Sequence, residues 1–258
     1  MTDTHMHIKQ PPADYQADAA DFKGRVILVT GATGGLGSAA SQALARLGAH
    51  VILLGRSVPK LEKLYDAIEA AGGAQPAIVP INLMTATWAA YDDLAQTIEK
   101  EFGKLDGLLH AAAHFKSFTR LEDLEPRDWM DSLQVNLTAP YTLTRLCLPM
   151  LRESQDASVV FVTDDGGRVP KPFQAAYGVT KAAGETLFRS WAMELEAESR
   201  VGSGLRFNTW HPGPMGTEIR GKGYASDARA QVNPPERVIP QLLWLLGPAS
   251  RGVTAQAL

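Results

Sequence analysis

The chain has 258 residues, 45% of them hydrophobic and 21% charged, with a formal net charge of −3 and one cysteine. Such a length and balance suit a single soluble domain with a large buried core. They exclude an internal disulfide, and the absence of a basic excess argues against nucleic acid or an anionic membrane as partner.

No apolar run reaches bilayer-spanning length. The first 24 residues contain no apolar run at all, so a secretory signal is not expected and a cytoplasmic location is. Cys147 lies in the apolar stretch Arg145-Leu-Cys-Leu-Pro-Met-Leu and reads as a small core residue. His5 and His7 lie on a polar tail without further ligands, so no metal site is expected.

Residues 1–21 read as that tail and 22–258 as one domain without repeats or low-complexity linkers. Arg25–Thr30 is an apolar run bounded by glycines, which suits a buried parallel strand. Leu36–Leu47 is helical and Gly48 ends it. His50–Leu54 is a second strand, and Ser57 caps a helix running to Ala71. A third strand follows over Gln75–Asn82, a helix over Trp88–Phe102 and a fourth strand over Leu105–His110, which Asp106 opens.

Pro126–Leu151 reads as one long helix, Ser158–Thr163 as a fifth strand and Ala175–Glu198 as another long helix. Leu205–Trp210 is a sixth strand. Residues 213–233 are glycine-rich and irregular, Pro235–Leu246 is a last helix, and Gly252–Leu258 is a short closing strand. This alternation predicts an α/β Rossmann fold: a doubly wound, mostly parallel, seven-stranded sheet with helices on both faces. Ligands in such sheets bind at the carboxyl ends of the strands.

Two motifs carry chemistry. Thr30-Gly-Ala-Thr-Gly-Gly-Leu-Gly37 follows the first strand and opens the first helix. Gly31, Gly35 and Gly37 permit a tight turn that brings backbone amides, with those of Thr33, Gly34 and Leu36, close to a pyrophosphate at a positive helix end. Tyr177-Gly-Val-Thr-Lys181 puts two side chains on one helical face, one turn apart. A phenol titrates near pH ~10, and a neighbouring ammonium lowers that value.

These motifs, in this order, resemble the short-chain dehydrogenases/reductases, and the resemblance runs from residue 22 to the C-terminus. It implies an oxidoreductase that passes a hydride between a nicotinamide cofactor and a small carbonyl/alcohol substrate. Tyr177 would be the acid/base, Lys181 its electrostatic partner and ribose anchor, and Asn136 the support of a proton-relay water. Pro212-Gly213-Pro-Met215-Gly-Thr217 matches the family segment that positions the carboxamide, with Met for Val. Asn82 falls where an aspartate usually contacts adenine, with Leu83 beside it, and Ala111 would lie near the cofactor. The resemblance further implies a substrate lid over 214–233, where Gly221-Lys-Gly223 and Tyr224 suggest mobility. It also implies a homodimer or homotetramer built through the long helices.

The discriminating position after the second strand reads Gly55-Arg56-Ser57, with no acid nearby. An acid there would bind a ribose 2′-hydroxyl, whereas a guanidinium fits a 2′-phosphate. Arg56 therefore favours NADP(H) over NAD(H), with a surface arginine as the alternative.

Two departures from the family pattern stand out. The strand-four motif reads Ala111-Ala-Ala113 in place of Asn-Ala-Gly. More seriously, the position thirteen residues before Tyr177, a serine in the family, is Asp164. An ionised aspartate only accepts hydrogen bonds and cannot support a developing oxyanion. On one reading Asp164 stays protonated beside Asp165, because two close carboxylates resist double ionisation, and donates as the serine would. Thr163 is a second source of a hydroxyl, although strand alternation turns it the other way. A third reading is an impaired site that binds NADP(H) as sensor or scaffold. Asp164 paired simply with Arg168 or Lys171 is the plainest alternative.

Overall fold

A computed structural model describes residues 10–197, 204–224 and 232–258. His5, His7, Glu198 and much of the expected lid lie outside these residues. The strands are β1 (Val26–Thr30), β2 (His50–Gly55), β3 (Ala77–Pro80), β4 (Gly107–His110), β5 (Ser158–Val162) and β6 (Arg206–Trp210). They form one parallel sheet in the order β3-β2-β1-β4-β5-β6. The chain starts in the middle, winds out to β3 and returns past β1 to β4, which creates a switch point between β1 and β4.

The strands are buried on both faces, so neighbouring side chains feed different cores. Ile27, Val29, Val51 and Leu53 pack against α1 (Gly35–Arg46), α2 (Val58–Ala70) and α9 (Ile239–Leu246). Val26, Leu28, Ile52 and Leu54 face the other way, towards α3 (Trp88–Phe102), α5 (Ala139–Glu153) and α7 (Ala175–Ala197). Cys147 is fully buried in this second core, and burial pushes its thiol up to about 12. Tyr15 and Ala17 pack against the first core, so part of the N-terminal tail is docked.

A charged cluster closes the amino-terminal edge of the sheet. The Asp156 carboxylate receives Arg25 at 2.8 Å, Arg251 at 3.2 Å and Arg206. Beside it, Asp106 accepts from the Val26 N–H at 2.9 Å and the Ser154 hydroxyl at 2.6 Å.

The structure corrects several expectations. The single helix over Pro126–Leu151 is divided into α4 (Pro126–Leu133), a π-helical turn (Gln134–Thr138) and α5. The wide turn swings Asn136 inward, where it is fully buried and bonded to other elements. Among the described residues the sheet has six strands rather than seven. The closing segment does run beside β6, with N–H···O bonds from Ala255 to Phe207 and from Leu258 to Thr209, both at 2.9 Å. Ala255 takes φ 57°, and that kink reduces the ladder to the single bridge Thr209–Ala257. Finally, Ser57 stands at the N-cap of α2 without a side-chain capping bond.

Two short helices, α6 (Asp165–Arg168) and α8 (Glu218–Gly223), lie at the carboxyl edge of the sheet. Gly221-Lys-Gly223 is therefore helical rather than irregular. Among the described residues, no helix is long and apolar enough to cross a membrane.

Candidate active site

A cleft of about 570 Å³ opens where β1, β2, β4, β5 and β6 end. The Gly-rich turn forms one wall. Gly31 has φ +65°, and a Cβ there would lie 2.8 Å from the Ala112 Cα. A Cβ on Gly37 would lie 2.2 Å from the Gly31 carbonyl oxygen. These positions admit backbone only. The first-turn N–H groups of α1, which have no helical partner, are thereby left at the cleft wall. Thr33, Gly34, Gly35 and Leu36 complete this wall.

Arg56, Asn82, Leu83 and Ala111 line the same cleft from the ends of β2, β3 and β4. Arg56 is exposed, whereas Leu83 is buried. The Asn82 Oδ1 accepts from the Met84 N–H at 3.2 Å, which holds the turn after β3. Pro212, Gly213, Met215 and Thr217 line the opposite side. Gly213 has φ +78°, and Met215 bridges Asn233. Thr217 caps α8 and approaches Gly35 so closely that a Cβ there would lie 2.8 Å from the threonine methyl. A glycine cradle with a guanidinium at its far edge and free amides at a helix start fits a phosphorylated dinucleotide.

Tyr177 and Lys181 reach the cleft from the first turns of α7. Lys181 is 2% exposed, and its Nζ donates to the Val162 carbonyl at 2.7 Å. Burial pulls its ammonium down to about 8, against the pull of Asp164. For Tyr177, burial, the Asp164 charge and a side-chain hydrogen bond with Asp164 together push the phenol well above the ordinary tyrosine value.

Asp164 also caps α6, its Oδ1 accepting from the Gly166 N–H at 2.9 Å. It is not paired with Arg168 or Lys171. Arg168 binds Glu185 at 2.8 Å and the Leu258 carbonyl at 2.6 Å, while Lys171 binds Asp165 at 2.9 Å. Thr163 is buried, and its hydroxyl, which lacks a hydrogen-bond partner, lies under Gly167 next to the Lys181 Cβ.

Asn136 does not line the cleft. Its Oδ1 accepts from the His114 N–H at 2.6 Å, and its Nδ2 donates to the His114 carbonyl at 2.9 Å and the Thr180 hydroxyl at 3.0 Å. It thus ties the loop after β4 to α7. Where the family motif is missing, the Ala112 N–H donates to the Thr30 hydroxyl at 3.2 Å.

The cleft also contains residues that carry no motif: His114, Phe115 and Phe118 after β4, Gln174 before α7, and His211 after β6. Burial lowers the pKa of both histidines, opposed by Asp131 at His114 and by Asp165 at His211. A run of aromatic residues just past a strand end is the only sequence signal that marks this part of the cleft.

Comparison with known proteins agrees with this architecture. The family model described as short chain dehydrogenase matches residues 25–227. The uncharacterized oxidoreductase YciK of Escherichia coli (strain K12) is 34% identical over 240 residues, 93% of each chain. The structure of a short chain dehydrogenase from Pseudomonas syringae superposes with a TM-score of 0.90 at 42% identity, covering 95% of this chain and 97% of that one. A short chain dehydrogenase from Escherichia coli CFT073, solved in complex with NADPH, gives 0.86 at 34% identity over 92% and 97% of the two chains. Matched over most of its length by family model, sequence and structure alike, the chain belongs to the short chain dehydrogenase family.

Proposed function

We propose that this protein is an NADP(H)-dependent oxidoreductase that interconverts a carbonyl and an alcohol. The observation that carries this reading is a half-buried Tyr177 in one cleft with Lys181, the glycine cradle and Arg56. The NADPH complex of the Escherichia coli CFT073 relative supports the choice of cofactor. Gly31 and Gly37 admit the pyrophosphate, Arg56 pairs with the 2′-phosphate, and Asn82 and Leu83 flank the adenine. Pro212, Gly213, Met215 and Thr217 hold the nicotinamide end.

The bound nicotinamide supplies the hydride. Tyr177 gives the proton to the substrate oxygen on reduction and takes it back on oxidation. Lys181 spends one N–H on Val162, which leaves two for the cofactor ribose and places a cation beside the phenol. Asn136 acts through position, since its amide is committed to His114 and Thr180. Burial and Asp164 raise the phenol's pKa, so Tyr177 parts with its proton less readily and the tyrosinate needed for alcohol oxidation is disfavoured.

The Asp164 charge supports a second reading, a protein that binds NADP(H) without efficient turnover. An ionised Asp164 offers the substrate no donor and disfavours the tyrosinate. The test is NADPH titration by fluorescence, then turnover of a carbonyl panel from about pH 5 to about pH 8. Turnover that rises as pH falls identifies a protonated Asp164 as donor. Tight NADPH binding without turnover, unrescued by Asp164→Ser, establishes the binding role. The exposed Met130, Tyr141, Val179 and Met193 on α4, α5 and α7 fit the expected homo-oligomer.

A further inference from the structure

Beside Tyr177 the cleft presents an acceptor where a forming alkoxide calls for a donor. Asp164 and Tyr177 line the same cleft, and after burial the Asp164 charge is the largest influence on the phenol. The Asp164 Oδ1 accepts from the Gly166 N–H at 2.9 Å, which fixes the carboxylate at the start of α6. Asp164 acts on both Lys171 and Lys181 but forms an ion pair with neither. Lys171 is held by Asp165 at 2.9 Å, and the Lys181 Nζ donates to the Val162 carbonyl at 2.7 Å. Lys222, which also lines the cleft, acts on His114.

Aromatic rings gather round the same phenol. Phe115 meets Tyr177 with 5.2 Å between ring centroids, Phe118 meets Phe115 at 5.4 Å, and Tyr224 meets Phe118 at 5.1 Å. Tyr224 in turn acts on Tyr177, so the rings form a compact cluster rather than a line. Phe118 and Tyr224 keep 38% and 37% of their surface exposed. The faces of such rings are negative and attract cations. One already does so here, since the Arg220 guanidinium lies 4.2 Å over the Tyr224 ring.

These features hinder an alkoxide. A carboxylate that only accepts repels a developing oxyanion, and a phenol with a raised pKa gives up its proton reluctantly. A protonated imine has the opposite needs. Its nitrogen is positive, it carries an N–H to donate, and it already holds the proton that a carbonyl would take from Tyr177.

We propose that this cleft reduces protonated imines, with Asp164 accepting from the iminium N–H and the rings of Phe118 and Tyr224 flanking the cation. The imine carbon takes the hydride of the reduced nicotinamide, which is left oxidised. The C=N π pair becomes the lone pair of the amine nitrogen, and the nitrogen keeps the proton it brought. The inference rests on the NADP(H) site of the preceding reading but not on its carbonyl chemistry.

Four bicyclic compounds of similar size test it. Tetrahydroisoquinoline, a cationic amine, and isochroman, its neutral oxygen analogue, probe recognition. Dihydroisoquinoline and tetralone are the matched imine and ketone. Binding is measured by calorimetry in the presence of NADP+, and turnover by the loss of NADPH absorbance. The amine is expected to bind about tenfold tighter than isochroman. Asp164→Asn keeps an acceptor for the Gly166 N–H, so α6 keeps its cap, and it should abolish that preference. Circular dichroism verifies folding. Asp164→Ser should lower imine reduction by about tenfold while raising ketone reduction, whereas a merely structural role would move both rates the same way. Equal binding of amine and isochroman, a preference that survives Asp164→Asn, or amine binding without imine reduction overturns the proposal. Ketone reduction alone also overturns it and leaves the carbonyl reading standing. Imine reduction alone supports it and removes the carbonyl reading. Reduction of both, with opposite responses to Asp164→Ser, supports both.

Discussion

The Asp164 carboxylate faces the Tyr177 phenol across the cleft, and after burial it is the largest influence raising the phenol's pKa. Replacing Asp164 with Ser removes that charge and restores a donor. Turnover is expected to rise by roughly 100-fold, the lower end of the range that one oxyanion donor commands. Alcohol oxidation needs the phenolate, so its alkaline limb should move to lower pH. Asp164→Asn should shift the limb likewise, since it too removes the charge. Profiles of kcat against pH for the three proteins decide this, and an unmoved limb contradicts the assigned pairing.

Lys181 holds its ammonium in a fully buried position, and burial lowers its pKa from 10.5 to about 8. That drop corresponds to roughly 3 kcal/mol against the charged form at neutral pH. Between about 8 and 10.5 the unfolded chain keeps a proton that the folded chain has released, so wild-type stability rises with pH in that window. Lys181→Met removes the buried charge and also the bond to the Val162 carbonyl, which offsets about 1–3 kcal/mol. The variant should therefore lose activity yet unfold in urea at a concentration no lower than wild type at neutral pH. Its advantage should shrink as pH approaches 10.5.

Arg56 lines the cleft at the end of β2 and is the proposed partner of a 2′-phosphate. Arg56→Glu is expected to weaken NADPH binding by roughly 10- to 100-fold, as suits the loss of a charged hydrogen bond of about 1.5–3 kcal/mol. NADH binding should stay level or improve, because a carboxylate suits the ribose 2′-hydroxyl. Fluorescence titration with both cofactors measures the ratio. An unchanged ratio removes Arg56 from the binding site.

Asp156 is almost fully buried among Arg25, Arg206 and Arg251. Burial opposes its ionisation, yet bonds from Arg206 and Arg25 hold its pKa below 3.8. The stability it contributes is present above the unfolded value of 3.8 and is lost as pH falls through the lower folded value. Asp156→Ala strands two buried guanidiniums and should cost about 3–5 kcal/mol. Denaturant unfolding gives the figure, and a loss under about 1 kcal/mol would mean that the cluster is replaceable.

What could be read in advance depended on how local its cause is. The Gly-rich turn was legible because the need for backbone-only positions is written in Gly31 and Gly37 themselves, and the Tyr177–Lys181 pair because helix pitch fixes its geometry. The break in the helix after Leu133 was hidden. It is maintained by bonds from Asn136 to His114 and Thr180, which are 22 and 44 residues away. The alternative that pairs Asp164 with Arg168 or Lys171 fails for a similar reason. Arg168 and Lys171 are nearest in sequence, but Arg168 turns to Glu185 and Leu258 and Lys171 to Asp165. The contacts among Phe115, Phe118, Tyr177 and Tyr224 were legible only as aromatic residues past a strand end, because the four become neighbours once the loops close over the sheet. The closing strand was foreseen in place but not in regularity, since nothing beforehand singles out Ala255 for a left-handed backbone.

The ring of Arg25, Asp156, Arg206 and Arg251 and the cleft around Tyr177 occupy opposite edges of one sheet, separated by five-residue strands such as β1. At about 3.3 Å per residue that is roughly 16 Å, beyond the range over which substitutions usually couple. The molecule therefore has one edge that can drift and one that cannot. A change as drastic as aspartate for serine at the reactive edge leaves the foundations untouched, and the losses from Asp156→Ala and from any Asp164 variant should simply add. On such a scaffold a lineage can try new chemistry without first relearning how to fold.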